Sequence, residues 1–418
     1  MRLERIAAEK FSFRTLIRVF LPFAFGYFLS YLYRVVNAVI APDLIAEVGL
    51  DAADLGLLTS AYFLTFAIFQ LPLGILLDRF GPRKTEAALL VFAALGAFVF
   101  ATATTPAALT LGRALIGLGV SACLMAAFKA FVLWFPASRL PLVNGLQMAA
   151  GGLGALTGTA PVEAALHVTD WRGVFVALAI VTLAAAAIIF ATVPEKKSSH
   201  AGVPFGEQLR GVTQVLSSRV FWRIAPWTVM VQATFLAIQG LWVGPWLRDV
   251  AGLDRDTIGH YLAFIAVSMI AGFIVFGAAA ERLGRRGIKP TTVAGVGMSI
   301  FMLLQVPIIL EWTGAALLMW ALFGFFGTTG IIPYAALPQS FPAQLAGRVI
   351  TGLNLFVFIA AFAAQWAIGV LINLWPTTAL GEYSARGYQA AFIMMLGMEA
   401  AGLIWYLLSA PRSRAAPA

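Results

Sequence analysis

The sequence predicts an all-α membrane protein: twelve transmembrane helices in two six-helix bundles related by a parallel pseudo-two-fold repeat. Three observations carry this reading. The 418-residue chain is 61% hydrophobic and only 11% charged, with a mean hydropathy of +0.89; a soluble domain is about 45–50% apolar and about 25% charged. Its apolar runs are long and continuous, unlike the alternating segments of about 10 residues that build an outer-membrane barrel. Finally, the two halves match when one is shifted by 203 positions.

Runs bounded by charges, Pro or Gly give the spans in order. The N-terminal half holds 19–42, 55–77, 86–105, 107–134, 142–166 and 173–193. The C-terminal half holds 224–247, 257–280, 290–310, 314–337, 347–374 and 388–409. The longest polar interval, 194–223, reads as a linker with a short amphipathic helix. It separates an N-terminal bundle (1–193) from a C-terminal one (224–418). The basic, polar N-terminus precedes no small-residue cleavage site, so no cleavable signal peptide is expected.

Loop charges set the orientation. Twenty-one Lys and Arg fall on the side of the termini and the linker, against four (Arg172, Arg248, Arg255 and Arg386) on the other. Such a bias places basic loops, and here both termini, in the cytoplasm, with the chain in a cell inner membrane. The formal charge of +9 is then topological and implies no nucleic-acid partner. Three basic residues remain for the spans themselves: Arg34, Arg113 and Lys129.

The repeat is explicit in the residues. "VIAPDL" at 39–44 aligns with "WVGPWL" at 242–247, and "VGLD" at 48–51 with "AGLD" at 251–254. In the loops that follow, Gly74, Asp78, Arg79, Gly81 and Arg83 align with Gly277, Glu281, Arg282, Gly284 and Arg286. Equal span numbers and equal orientation make the repeat parallel, with a substrate site expected between the halves near the midplane. Together with Arg113-x3-Gly117-x-Gly119 in span 4 and "DWRGVF" at 170–175, this doubled loop resembles the major facilitator superfamily over essentially the whole chain. The resemblance implies a secondary transporter. It also makes the ten doubled-loop residues a conformational latch between the halves rather than substrate ligands. Pro82 stands where many members carry a basic residue.

Span 1 holds the most informative charge. Were Arg34 its end, the apolar part would be 20–33, fourteen residues and too short to cross. Continuing to Ala41, with Pro42 ending it, gives a full span with Arg34 inside. Gly26, Ser30, Arg34 and Asn37 then share one face, with Tyr27 and Tyr31 beside them. A permanent cation facing lipid is costly, so the stripe is expected to line a cavity. The other reading has Arg34 reaching the headgroups about 10 Å away. Its repeat position is Ala237, so span 7 offers Gln232, Gln239, Trp242 and Trp246 instead. A guanidinium binds oxyanions through forked hydrogen bonds. Span 1 also resembles that of organophosphate and organic-anion members, in which an arginine here holds the anion; the span-7 arginine of the organophosphate exchangers is absent.

The other candidates are Gln147 and Asn354, expected to face each other by pseudosymmetry as substrate ligands with Arg34, Asn37, Tyr31, Gln239 and Trp242. Arg113 is a coupling candidate by resemblance, and Glu163 as an acid near the end of span 5. Lys129, at about 1600° of helix rotation from Arg113, points away from it and is read as snorkelling. Glu399 is read as structural, and the lone Cys123 as a small core residue. His167, His200 and His260 are scattered without metal-ligand spacing, and neither a nucleotide loop nor a catalytic grouping appears. The expectation is a monomeric transporter, not an enzyme, with no cofactor and no metal. It would move a small organic or inorganic anion by proton-coupled uptake in a lipid bilayer. Proton-antiport efflux of drugs or metabolites and a polytopic sensor are the alternatives; no acid precedes Asp43 in span 1, which speaks against cation export.

Overall fold

A computed structural model describes residues 13–136, 140–195, 211, 213–342, 345–378 and 381–409. It is all-helical, and eleven described helices are long and apolar enough to cross a membrane. The fifth crossing is the exception because it is broken. Helix Leu140–Thr157 stops at Gly158 and Thr159, and helix Ala160–Leu166 restarts with Pro161 in its first turn. Proline is tolerated there because the first-turn N–H has no intrahelical partner. Residues 196–210 and 212 of the 194–223 linker lie outside the described residues; 213–216 are helical with Val215 buried, and Arg219 already begins the helix of span 7.

The repeat reappears as stereochemistry. Helix Asn37–Val48 ends on Gly49 at φ 69°, and the next helix starts with Asp51 capping Asp54 N at 2.8 Å. Shifted by 203, Gly252 has φ 64° and Asp254 caps Thr257 N at 3.0 Å. A left-handed glycine followed by an aspartate N-cap is a local instruction to stop one helix and start another. The second loop departs from its counterpart: Gly81 turns the chain at φ 77°, whereas in the C-terminal half Gly287 does so in place of Gly284.

Pro42 does not end span 1. The helix runs through it to Val48, so Arg34 lies deeper from that end than the sequence suggests. Proline withholds the N–H that would bond the Ala38 carbonyl, and Gly244 of span 7 packs directly against that oxygen. Gly56 likewise abuts the Gln365 carbonyl and Gly369 the Ala52 carbonyl. Backbone therefore touches backbone across the halves on the face opposite the basic loops, here called the far face.

"DWRGVF" has a structural use on that face. Asp170 caps Gly173 N at 2.7 Å, Trp171 Nε1 donates to Glu47 at 2.6 Å, and Arg172 donates to Glu47 and to the Ala101 and Ala103 carbonyls. This ties spans 1, 3 and 6 of one bundle together. Large apolar side chains left exposed, such as Leu303, Ile393 and Leu408, lie where lipid would cover them.

Candidate functional site

A cavity of about 730 Å³ lies between the halves. Its lining comes from spans 1, 2, 4 and 5 and from their repeat mates 7, 8, 10 and 11; among the described residues, spans 3, 6, 9 and 12 contribute none. It reaches Phe128, Gly277 and Ala280 toward the basic loops, and is closed toward the far face.

Arg34 stands at the closed end. It is 7% exposed, lines the cavity, and pairs with no carboxylate among the described residues. Its Nε has no hydrogen-bond partner. Four rings surround the guanidinium: Tyr31 at 4.5 Å, Phe358 at 5.4 Å, Phe66 at 5.7 Å and Tyr62 at 5.9 Å from its carbon. Ring faces stabilise a cation without neutralising it, so the charge stays available. Phe66 and Phe358, whose centroids are 4.3 Å apart, join spans 2 and 11 at this point.

Two further contacts fix the arginine. Tyr62 donates to the Ser30 carbonyl at 3.2 Å, and the guanidinium of Arg113 lies 5.2 Å from the centre of its ring. Arg113 is itself buried and donates to the Tyr33 carbonyl at 2.8 Å. It thus holds the backbone one residue from Arg34 rather than facing the cavity. Sequence reasoning missed Tyr62, Phe66 and Phe358, because apolar rings within apolar spans carry no signal of their own.

Of the expected ligands, Tyr31 and Asn354 line the cavity with Arg34, and Gln232 joins them. Four others do not. Asn37 is fully buried and donates to Thr59 at 2.9 Å. Gln147 turns into its own bundle and donates to the Phe23 carbonyl at 3.2 Å, so it does not face Asn354. Gln239 donates to Met269 Sδ, and the Trp242 indole to the Gln365 carbonyl at 3.1 Å. For span 7 the reason is a π-helical turn over Ile238–Trp242. Its extra residue resets the helix face beyond Gln232, which a straight-helix projection does not anticipate.

The far face carries a second cluster. Arg255 of span 8 meets both Asp43 carboxylate oxygens of span 1 at 2.8 and 2.5 Å, and its Nε pairs with Glu163 Oε1 at 2.7 Å. The Nε contact is an ion pair rather than an aligned hydrogen bond. Glu163 is 5% exposed. His167 lies 3.1 Å from Asp256, and these two with Glu163 place ligand atoms within 4.8 Å of one another. Folding thus assembles a group around a histidine that the sequence shows only as scattered. All these pairs cross between the halves.

The basic face is different. Arg83 donates to the Val193 carbonyl at 3.3 Å, Lys84 pairs with Glu195 at 2.6 Å, and Glu281 pairs with Arg285 four residues on at 2.5 Å. Arg79 lies 5.3 Å from the Phe80 ring, while Arg282 and Arg286 are exposed. Every one of these contacts stays within its own half. The Asp78 side chain lies outside the described residues, and Gly74 and Gly81 are backbone positions of the same turn. Among the described residues, then, the doubled loops make no side-chain pair across the halves, in contrast to the far face.

The remaining intramembrane groups sit inside their own bundles. Glu399 accepts from Gln305 at 2.6 Å, in keeping with a structural acid. Glu86, unnoticed at the start of span 3, is fully buried with its carboxylate against Gly26. Cys123 is buried.

Comparison with known proteins adds three findings. A family model described as Major Facilitator Superfamily matches residues 23–365. The "Probable sulfoacetate transporter SauU" of Cupriavidus necator is 22% identical over 83% of this chain and 85% of its own length, and the "Probable galactarate/D-glucarate transporter GudP" of Bacillus subtilis is 25% identical over 82% and 83%. Among solved structures, a bacterial homolog of the human lysosomal transporter Spinster, inward-facing and unoccupied, superposes with a TM-score of 0.77 at 17% identity, covering 96% of this chain and 97% of that one.

Proposed function

The chain belongs to the major facilitator superfamily, and from that premise we propose that it carries a small anion across the inner membrane by alternating access. The observation that carries this reading is Arg34, a cation at the closed end of the inter-half cavity with no carboxylate partner among the described residues. Two relatives whose names specify anions, sulfoacetate and galactarate or glucarate, support it. In this reading Arg34 is the anion ligand, with Tyr31, Gln232 and Asn354 around it, and Arg113 is a positioning residue.

Residues 1–193 would rock against 224–418 about the 194–223 linker, with the basic face cytoplasmic. Closure on that face would bring the doubled-loop residues together as the far-face pairs part. Coupling to protons is assigned to that exchange. Glu163 and Asp43 are held by Arg255 only while the far face is closed, and opening exposes them to the outside solution.

The test is uptake in proteoliposomes with a panel of labelled organic anions, sulfoacetate, glucarate, hexanoate and benzoate, read on those that the wild type carries. Arg34→Ala and Arg34→Lys are expected to lose uptake, Lys less completely, at unchanged expression. Full uptake by Arg34→Ala would end the proposal. An inward proton gradient should raise accumulation if transport is symport; an outward-directed response would instead mark antiport efflux.

A further inference from the structure

Resting on that assignment of Arg34, we infer that the cavity takes an organic monoanion with an apolar body, an aryl or alkyl carboxylate or sulfonate, in preference to a polyhydroxylated sugar acid or a bare inorganic anion.

Charge comes first. Among the described lining residues Arg34 is the one formal charge. A dicarboxylate would bring a second charge to a site with no second cation, and a charge inside the membrane without a partner is expensive. The equivalent position, Ala237, is fully buried with its carbonyl taken by Gln365 at 3.3 Å, so span 7 brings no second cation there.

Much of the polar lining is already spent. Ser121 Oγ donates to the Leu118 carbonyl and Thr328 Oγ1 to the Phe325 carbonyl, each at 2.7 Å. Gln70 Nε2 donates to the Ser121 carbonyl, Ser30 pairs with Tyr62, and Tyr334 donates to Asn354. Among buried lining atoms, Arg34 Nε and Gln70 Oε1 are left without partners. One is a cationic donor and the other a single acceptor. With the Gln232 and Asn354 amides and the Tyr31 hydroxyl as the other polar groups of the lining, such a site serves one carboxylate or sulfonate and few hydroxyls. Most of the four hydroxyls of a sugar diacid would lose their water without full replacement.

Shape completes the argument. Beyond Arg34 the walls are Leu124, Phe128, Ile270, Phe273 and Ile274. Tyr31, Phe66 and Phe358 rise around the guanidinium itself. A nitrate-sized ion would leave most of the 730 Å³ as water against apolar walls, whereas a flat or branched hydrocarbon body fills it. Each methylene buried there should strengthen binding about fourfold.

The experiment measures binding of acetate, butyrate, hexanoate, benzoate, glucarate and nitrate to the full chain in nanodiscs. Arg34→Gln provides the blank for partitioning into lipid. The expected result is stepwise tightening from acetate to hexanoate, and benzoate at least tenfold tighter than glucarate. Phe358→Leu should flatten the series and Arg34→Gln should abolish it. Phe273→Leu, a cavity wall outside the Phe66–Phe358 contact, serves if the first aromatic variant does not fold. Glucarate or nitrate binding as tightly as hexanoate, with loss in Arg34→Gln, would overturn the substrate class and leave the anion site standing. Equal binding by wild type and Arg34→Gln would overturn the anion site itself. A series in which none of the six binds overturns the substrate class.

Discussion

Arg255→Gln should tip the protein away from the conformation described here. The wild-type side chain holds Asp43 and Glu163 together across the halves. The partners are unequally exposed: the Arg255 side chain is 40% accessible, Asp43 28% and Glu163 7%. An exposed pair contributes about 0–1 kcal/mol, while breaking a buried one costs about 3–5 kcal/mol. Two bonds to half-exposed Asp43 and one contact to nearly buried Glu163 fall between these, at about 2 kcal/mol. That converts to about a thirtyfold rise in the far-face-open population. Val39, 5% exposed and lining a small pocket beside Arg255, reports the change. In a Cys123→Ala background, Val39→Cys should react with a soluble maleimide about thirtyfold faster when Arg255 is also Gln. Because Glu163 is the better buried acid, Glu163→Ala should have more effect than Asp43→Asn. Equal labelling rates with and without Arg255 would refute the idea that this cluster seals the far face.

Two further outcomes test other parts of the structure. Gly369→Ala places a methyl against the Ala52 backbone and should speed labelling of Val39→Cys about tenfold without changing any charge; an unchanged rate would mean that backbone contact is not limiting. Glu47 accepts from Arg172 and from Trp171, which hold its carboxylate below the ordinary range, with Asp170 opposing. A depressed carboxylate contributes stability that is present above its unfolded pKa of about 4.3 and lost as pH falls through the lower folded value. Glu47→Gln should therefore unfold at a lower temperature than wild type near pH 6 and converge with it at pH 3. The gap should correspond to less than about 1 kcal/mol, because the side chain is half-exposed. Parallel curves across that window would remove Glu47 from this role.

What the sequence made readable depended on whether a residue's meaning was local. Arg34 could be placed inside span 1 from length alone, since fourteen apolar residues do not cross a bilayer. The repeat was readable because Gly49 with Asp51 and Gly252 with Asp254 are short-range stop-and-start signals. Helix faces were less secure. One π turn at Ile238–Trp242 was enough to take Gln239 and Trp242 out of the cavity. The Asp43–Arg255–Glu163 cluster was invisible for another reason. Its members are 212 and 92 positions apart, and only packing of the two bundles brings them together. Glu86, at the edge of its hydrophobic run, looked like a boundary and is instead fully buried.

The solitary guanidinium also has an electrical consequence. An empty cavity carries one positive charge among its described lining residues, whereas a cavity filled by a monoanion carries none. Rocking the halves moves the aqueous access from one side of that charge to the other, which is equivalent to moving the charge through part of the membrane field. A full crossing is worth about 2.3 kcal/mol per 100 mV. Voltage therefore does work on the unloaded carrier, and on the loaded one only through the charge of a coupled proton. The membrane potential acts on the return stroke, and a transient current in the absence of substrate is its signature.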